Sequence, residues 1–215
     1  MNKHYNQLTS KLNYQFKNTD LLELALTHRS ANSSNNERLE FLGDAILGFA
    51  IAEVLFQKFL DGPEGTLTRK RASLVKKETL AHLARQLDLG QFLYLGTGEK
   101  KSGGWRRDSI LANTLEAIIG GIYLDSDYET CRHFILHLYD DLLDGLSLED
   151  SEKDSKTELQ EYLQGRKQSL PTYYIVAEEG EAHERIFTVE CEIEALDERI
   201  KASGKSKRAA EQSAA

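Results

Sequence analysis

The chain has 215 residues, of which 40% are hydrophobic and 29% charged, so it can bury one main core and a small second one. A net charge of −8 would disfavour nucleic-acid binding if the charge were evenly spread. The N-terminus lacks the apolar segment of a signal peptide, and the longest apolar run, residues 45–52, is too short to span a bilayer. We therefore expect a cytoplasmic protein without a membrane partner.

Helical periodicity dominates the first two thirds of the chain. It predicts helices over residues 20–28, 37–59, 67–87, 109–124 and 128–143, and hence an all-α domain over residues 1–146. Gly43, Gly120 and Gly121 fall inside these helices, where glycine costs about 1 kcal/mol relative to alanine. Because that cost needs a reason, we expect helix backbones to approach closely at these glycines.

The helix over residues 37–59 carries three carboxylates on one face. Glu37, Glu40 and Asp44 lie within about 60° of one another, and most other positions around the helix are apolar. Carboxylates crowded on a buried helix need a compensating cation, and a hard divalent metal is the natural candidate. Alternatively, Glu37 and Glu40 are solvated first-turn residues that follow an Asn36 cap and are favoured by the helix dipole.

A second group of oxygen ligands lies on the helix over residues 109–124. Asn113 and Glu116 are three residues apart among apolar neighbours, so we expect Glu116 to emerge from an apolar surface. Two buried helices with inward-facing oxygen ligands indicate one shared metal site. An oxygen-only set formed by Glu40, Asp44, Asn113 and Glu116 suits Mg2+, and Mn2+ can substitute for it.

A second, smaller domain follows a polar stretch over residues 147–155, which is typical of a linker. The patterns predict a helix over residues 156–163, strands over residues 172–178, 185–193 and 195–202, and a helix from Ser206. The predicted fold class is therefore an all-α domain followed by a small α+β domain, of order α-β-β-β-α, over residues 156–215.

Besides Lys100, Lys101, Arg106 and Arg107, which lead into the helix over residues 109–124, positive charge is concentrated in two parts of the chain. One is a run without acids, which ends at a helix start and favours anion binding: Arg199, Lys201, Lys205, Lys207 and Arg208. The other lies on the helix predicted over residues 67–87, where cations outnumber the one acid, Glu78. A merely solvated surface is an equal alternative for that helix.

Several motifs carry a resemblance to one family. ERLEFLGD at residues 37–44, together with GWRRDSI and LANTLEA at residues 104–117, resembles the signature pair of bacterial ribonuclease III. KTELQEYLQGR, LPTYYIV, GEAH and GKSKRAAEQSAA resemble the double-stranded-RNA-binding domain of that family. The resemblance implies an endonuclease that cuts double-stranded RNA with metal-activated water and leaves 5′-phosphate and 3′-hydroxyl ends. Processing of ribosomal, messenger and transfer RNA is the expected role.

The resemblance also implies roles for individual residues. Asp44 and Glu116 match the catalytic carboxylates, and they belong with Glu40 and Asn113 to the metal set. Glu37 and Glu64 match supporting acids. The expected RNA contacts are Thr157, Gln160, Glu161, Gln164, His183, Lys205, Ser206, Lys207 and Arg208. Phe41 lies in the family's dimer motif and implies a homodimer with two sites across one duplex, although simple core packing is an equal alternative for it.

Two departures from the family pattern leave a rival open. The position of Asn113 is often aspartate in the family, and an amide there removes one negative charge from the metal site. The last helix is short at Ala215, which indicates a truncated end. A double-stranded-RNA-binding protein without nuclease activity is therefore the alternative, against which stand Glu40, Asp44 and Glu116.

Other chemistries are disfavoured by what the motifs lack. A carboxylate-bridged metal oxidase needs Glu-x-x-His pairs on its helices, and residues 116–119 supply none. No histidine falls in either acidic motif, which argues against a metal-free nuclease. Cys131 and Cys191 have no spacing suited to zinc, so we expect reduced structural thiols.

Overall fold

The computed structural model describes residues 3–147, 155–180, 185–194 and 199–215. Their contacts divide the chain into two compact units, residues 1–148 and residues 149–215. The described part of the first unit is helical, as predicted. Its α-helices are α1 (Lys3–Leu12), α2 (Thr19–Leu26), α3 (Glu37–Lys58), α4 (Glu64–Val75), α5 (Lys77–Gln86), α6 (Thr97–Lys101), α7 (Asp108–Asp125), α8 (Tyr128–Leu138) and α9 (Asp140–Asp144). Short 3-10 turns occupy Leu89–Phe92 and Gly104–Arg106.

Several features of the first unit differ from the predicted helices, and one is α6, which lies in none of them. Helix α1 was not predicted, although its Leu8 and Leu12 are one helical turn apart and fully buried. The helix predicted over residues 67–87 is two helices, because Lys76 is extended (ψ 153°) between α4 and α5. The helix predicted over residues 128–143 also breaks, at Tyr139, whose fully buried side chain donates a hydrogen bond to the Leu74 carbonyl at 3.2 Å.

Helices α3 and α7 cross in direct backbone contact. A Cβ atom added to Gly43 would lie 1.8 Å from the Glu116 carbonyl oxygen, and one added to Gly120 would lie 2.3 Å from the Leu39 carbonyl oxygen. The predicted close approach is confirmed at these two glycines. At Gly121 the approach is less close, because an added Cβ would lie 3.4 Å from the Phe16 ring and 3.6 Å from the Leu21 carbonyl oxygen, which are ordinary contact distances. The crossing is at the centre of the unit's core.

The expectation that α3 is buried on nearly every other side is wrong. Leu39, Ile46 and Leu47 are buried, but a row of large apolar side chains on and just after α3 is exposed. These residues, which we call the α3 stripe, are Phe41 (80% exposed), Phe49 (60%), Phe56 (71%) and Leu60 (85%). Core packing is thus excluded as the role of Phe41 within the chain.

The second unit has the predicted α-β-β-β-α order. It comprises α10 (Ser155–Gly165), β1 (Thr172–Glu179), β2 (Ile186–Glu192), β3 (Ile200–Gly204) and α11 (Lys207–Ala214). The strands form an antiparallel sheet in the order β1-β2-β3. Leu163 of α10 and Ala210 of α11 pack with Val189 and Cys191 of β2 in a small core. The third strand was predicted to begin at residue 195, but β3 begins at Ile200 and residues 195–198 lie outside the described residues.

Candidate active site

The α3–α7 crossing brings four of the predicted site residues together. Glu40 and Asp44 lie one turn apart on α3, on either side of Gly43, and Asn113 and Glu116 lie on α7. The backbone contact between Gly43 and the Glu116 carbonyl leaves no room between the helices at this level. Asn113 acts on the Glu40 carboxylate as a hydrogen-bond partner that favours its charged form. The crossing thus places Glu40 and Asp44 close enough to Glu116 for their charges to act on it.

The electrostatics of this cluster show crowded negative charge. Burial, together with the charges of Asp44 and Glu40, raises the pKa of Glu116 to about 7. Burial also raises the pKa of Glu40, although the hydrogen bond with Asn113 opposes that change. Glu116 emerges from a helix whose neighbouring side chains are buried, as the sequence predicted. A site with half-buried carboxylates and raised pKa values favours a bound cation.

The donor set fits a hard divalent ion in its chemistry. All four groups present oxygen atoms, and the crowded charge of Glu40, Asp44 and Glu116 is the kind that a cation relieves. Within the described ranges, no three His, Cys, Asp or Glu side chains are already arranged as they would be around a metal ion.

We expect Glu116→Gln to stabilise the metal-free protein near neutral pH and above. The pKa of Glu116 is about 7 in the folded chain and 4.5 for an unperturbed glutamate, so the folded state binds the proton more tightly. The stability that this provides is fully present below pH 4.5 and is lost as the pH rises through about 7. Glutamine removes that loss. The gain is about 1 kcal/mol, or about 3 °C in Tm, at about pH 8 and close to zero at about pH 4.

Thermal denaturation in chelator at both pH values measures this effect. The control is Glu129→Gln, because Glu129 is an exposed acid of α8. An equal change in Tm at both pH values for Glu116→Gln would contradict the electrostatic cause and leave only a packing effect.

The predicted supporting acids have different surroundings. Glu37 lies 3.4 Å from the Arg29 guanidinium, and its charge contributes to the raised pKa of Glu40. Glu64 is exposed at the start of α4 and accepts a 2.8 Å hydrogen bond from Thr68. The charge of Glu37 therefore acts on the cluster, whereas the described contact of Glu64 is within its own helix.

The expected Asn36 cap is wrong. The Asn36 side chain is buried and donates to the Ala25 carbonyl at 3.3 Å, so it ties the start of α3 to α2. Asn35 does the capping instead, because its side-chain oxygen accepts from the Glu37 backbone N–H at 3.0 Å. Only the burial of Asn36 distinguishes the two neighbours, and burial is not visible in the sequence.

Sequence reasoning missed an ion pair and a histidine close to these acids. Glu99 of α6 lies 2.7 Å from the Arg107 guanidinium, and the Glu99 side chain is only 19% exposed. Burial lowers the pKa of His28. The charges of Arg29 and Arg107 also lower this pKa, whereas those of Glu99 and Glu37 raise it. The available signal was that Glu99 is the one acid among the cations of residues 99–107.

The predicted RNA-contact residues of the second unit lie on two helices. Thr157, Gln160, Glu161 and Gln164 belong to α10, and Lys207 and Arg208 begin α11 after Lys205 and Ser206. Ser206 accepts the Ala209 backbone N–H at 3.1 Å and so caps α11. His183 lies outside the described residues.

The two basic regions are less uniform than their sequences indicated. Arg199 and Lys201 pair with Glu190 on β2, and Arg199 also pairs with Glu192 at 2.8 Å. In the first unit, Lys70 is buried and donates to the Ser147 carbonyl at 2.5 Å, and Arg85 pairs with Asp108. Neither region is a continuous cationic face, because partners distant in sequence neutralise several members.

The chain thus combines carboxylates at the crossing of two core helices with a separate unit of order α-β-β-β-α. Residues 18–142 match the family described as Ribonuclease-III-like, and residues 155–215 match the double-stranded RNA binding motif. The chain belongs to the ribonuclease III family, as its motifs indicated. Membership of this family implies a divalent metal cofactor.

Similar proteins support this membership over the whole chain. Ribonuclease 3 of Aliivibrio fischeri is 55% identical over 215 residues, which cover 100% of this chain and 96% of that protein. Ribonuclease 3 of Vibrio cholerae is 56% identical over 210 residues, which cover 98% and 93%. A solved nuclease domain of ribonuclease III from Campylobacter jejuni is 41% identical with a TM-score of 0.65, covering 68% of this chain and 100% of that domain.

Proposed function

We propose that this protein is an endoribonuclease that hydrolyses the phosphodiesters of double-stranded RNA and leaves 5′-phosphate and 3′-hydroxyl ends. The observation that carries this function is the carboxylate cluster at the α3–α7 crossing, in a chain that also matches the double-stranded RNA binding motif. Nothing in the structure or in the similar proteins favours the binding-only alternative. Processing of ribosomal, messenger and transfer RNA precursors is the corresponding cellular role.

The residues of the cluster have distinct roles in this reaction. Glu40, Asp44, Asn113 and Glu116 would hold the ion, for which Mg2+ is our proposal and Mn2+ a substitute. When bound, the divalent ion supplies a Lewis acid that activates water and neutralises the charge developing on the phosphate. Asp44 and Glu116 orient the attacking water, and the hydrogen bond between Asn113 and Glu40 restrains both side chains. Attack at phosphorus breaks the bond to the 3′ oxygen, which leaves as a hydroxyl.

Cleavage of a long RNA duplex tests the proposal directly. The native protein is incubated with Mg2+, with Mn2+ and with excess chelator, while RNA binding is followed in parallel and the new ends are analysed. Ion-dependent fragments with 5′-phosphate ends are expected, with binding retained in chelator. Binding without cleavage in either ion would overturn the nuclease and leave the Asn113-containing site as the reason for a binding-only protein.

We propose that residues 1–146 form the catalytic domain, residues 147–155 a linker and residues 156–215 the double-stranded-RNA-binding domain.

No helix among the described residues combines the length and apolar character needed to cross a bilayer. We assign the protein to the cytoplasm, where its RNA substrates are made.

In the RNA-binding unit, α10 contacts one minor groove through Thr157, Gln160, Glu161 and Gln164. The loop that contains His183 would contact the next minor groove, and the start of α11 would contact phosphates between them, over about 16 base pairs. Lys205, Ser206, Lys207 and Arg208 lie at that helix start, where backbone amides add to the attraction for phosphate.

Replacing Lys205 and Arg208 together with alanine is expected to weaken duplex RNA binding at least tenfold. Each side chain is exposed at the start of α11, so its loss removes about one phosphate contact and lowers the salt dependence of binding by about one unit per residue. The matched control replaces Arg199 and Lys201, two exposed cations that lie just before and on β3, outside α11. Equal losses in both double variants, measured by titration at several salt concentrations, would contradict the assignment to α11.

We also propose a homodimer formed through the α3 stripe. Large apolar side chains exposed in a row are typical of a covered surface, and a cavity of about 930 Å³ opens beside Phe41 with Leu21, Leu24 and Leu124 in its lining. A two-fold arrangement would place Phe41 of each copy in the cavity of the other and set two sites across one duplex. A second Campylobacter jejuni nuclease-domain structure, 44% identical with a TM-score of 0.62 over 63% of this chain and 95% of that one, is described as flexible in a region involved in dimer formation.

Phe41→Asp is expected to convert the dimer to a monomer at micromolar concentration. A carboxylate at the position that is 80% exposed in one chain would be desolvated in the paired surface, which costs several kcal/mol per interface. Light scattering coupled to gel filtration measures the mass. The control is Tyr174→Asp on β1, where the side chain is 45% exposed. A monomeric native protein would contradict the proposed dimer.

A further inference from the structure

A second cavity lies between the two 3-10 turns of the first unit and has a volume of about 650 Å³. Gly90 of the first turn lies against the backbone of the second, because a Cβ added there would lie 2.3 Å from the Trp105 carbonyl oxygen. The two turns therefore touch through their backbones, and Trp105 stays 51% exposed in the cavity wall. Leu93, Leu95 and Leu111 also line the cavity. This combination of volume and apolar lining is typical of small-molecule sites.

The charges around this cavity favour an anion. Its charged lining residues are Arg85, Lys100, Arg106 and Asp88. Arg85 is neutralised by Asp108, and Asp88 is neutralised by Lys11 of α1. The charges of Lys100 and Arg106 therefore set the sign of the cavity, although the whole chain has a net charge of −8. A local excess of positive charge in an acidic protein attracts phosphate or carboxylate groups.

The aromatic wall adds a preference for a planar ring. The Arg106 guanidinium lies over the Trp105 ring, 5.9 Å from its centre, so the cavity wall combines a cation with an indole. Planar heteroaromatic rings stack on indole faces, and nucleobases do so with little dependence on sequence.

We propose that this cavity binds a single nucleotide. Its base stacks on Trp105 above the leucine floor, and its phosphate is held by Lys100 and Arg106. The nucleotide is either a free mononucleotide or an unpaired nucleotide at the end of an RNA strand, since both present the same base and phosphate. The proposal requires no cleavage and no metal, so it stands or falls separately from the nuclease activity.

Fluorescence of the native full-length chain tests the proposal, because Trp105 is its one tryptophan. AMP and GMP are titrated in chelator, with ribose 5-phosphate and inorganic phosphate as ligands that lack a base. In separate titrations, an RNA duplex with one unpaired 3′ nucleotide is compared with the same duplex blunt-ended. Saturable quenching by the mononucleotides assigns a free ligand. Quenching only by the overhanging duplex, and not by the blunt one, assigns an RNA end.

Variants of α6 and its neighbour identify the site. Lys100→Ala and Arg106→Ala are each expected to lower the affinity for the ligand that quenches Trp105 by about tenfold. Lys101→Ala is the matched control, since Lys101 is the next residue of α6 but lies outside the cavity lining, and it should change the affinity less than about twofold. Calorimetry with Trp105→Phe, which keeps an aromatic plane, should show retained binding, whereas Trp105→Ala should lose it.

Two results would overturn the proposal. One is the absence of saturable quenching by every nucleotide and by the overhanging duplex up to about 5 mM. The other is an equal loss of affinity in Lys100→Ala and Lys101→Ala, which would indicate general attraction to a basic surface. Unchanged circular dichroism and Tm of each variant ensure that either result refers to binding.

Discussion

Replacing Glu116 with glutamine is expected to slow duplex RNA cleavage by about 10⁴-fold while RNA affinity changes less than about twofold. Glutamine has nearly the shape of glutamate, so the half-buried position on α7 stays filled. What is lost is one negative charge of the group whose pKa is raised to about 7 by burial and by Asp44 and Glu40. That charge is the one that a divalent ion would neutralise, and the remaining groups cannot replace it.

Single-turnover cleavage at saturating Mg2+ measures the loss, and a binding titration in chelator measures affinity. Glu129→Gln on α8 removes an exposed acid and should keep the native rate. A Glu116→Gln protein that cleaves within tenfold of the native rate would contradict the role of Glu116 in holding the ion. A protein that loses binding and cleavage together would instead indicate a disrupted fold.

Gly43→Ala is expected to destabilise the first unit by about 3 kcal/mol or more and to abolish cleavage. The added Cβ would lie 1.8 Å from the Glu116 carbonyl oxygen, which is far inside contact distance and against backbone that cannot rotate away. Helices α3 and α7 must therefore move apart, and this separates Glu40 and Asp44 from Asn113 and Glu116. A fall in Tm of about 10 °C is the measurable consequence.

The same helix supplies a matched control. Gly48 lies five residues further along α3, and nothing is within 4 Å of a Cβ added there. Gly48→Ala should therefore be neutral or stabilising by up to about 1 kcal/mol, because alanine favours the helix. If Gly43→Ala behaved like Gly48→Ala in denaturation and in cleavage, the proposed dependence of the site on the helix crossing would be wrong.

The parts of this protein that the sequence predicted best depend on local periodicity. Glu40 and Asp44 share a face because of their spacing, and Asn113 and Glu116 share one for the same reason. Two glycines inside helices, Gly43 and Gly120, then indicated where the helices meet. The α-β-β-β-α order of the second unit was equally visible, since each element has its own apolar pattern.

The parts that the sequence could not predict depend on partners distant in the chain. The break at Tyr139 accompanies a hydrogen bond to the Leu74 carbonyl, which lies 65 positions earlier. Arg199 and Lys201 belong to a run without acids in the sequence, but in the folded sheet both lie beside Glu190. The exposure of Phe41 could not be predicted for a related reason. The sequence pattern of an apolar helix residue is the same whether the side chain faces its own core or another chain.

Backbone contact between α3 and α7 also constrains how this protein can lose activity. The helices that form the centre of the core are the ones that carry the proposed ligands, with no hinge or loop between the two functions. Heat or denaturant that loosens the core must therefore widen the gap between ligands at the same moment. Resistance to unfolding and retention of catalysis both depend on the α3–α7 crossing, so selection on either property acts on both.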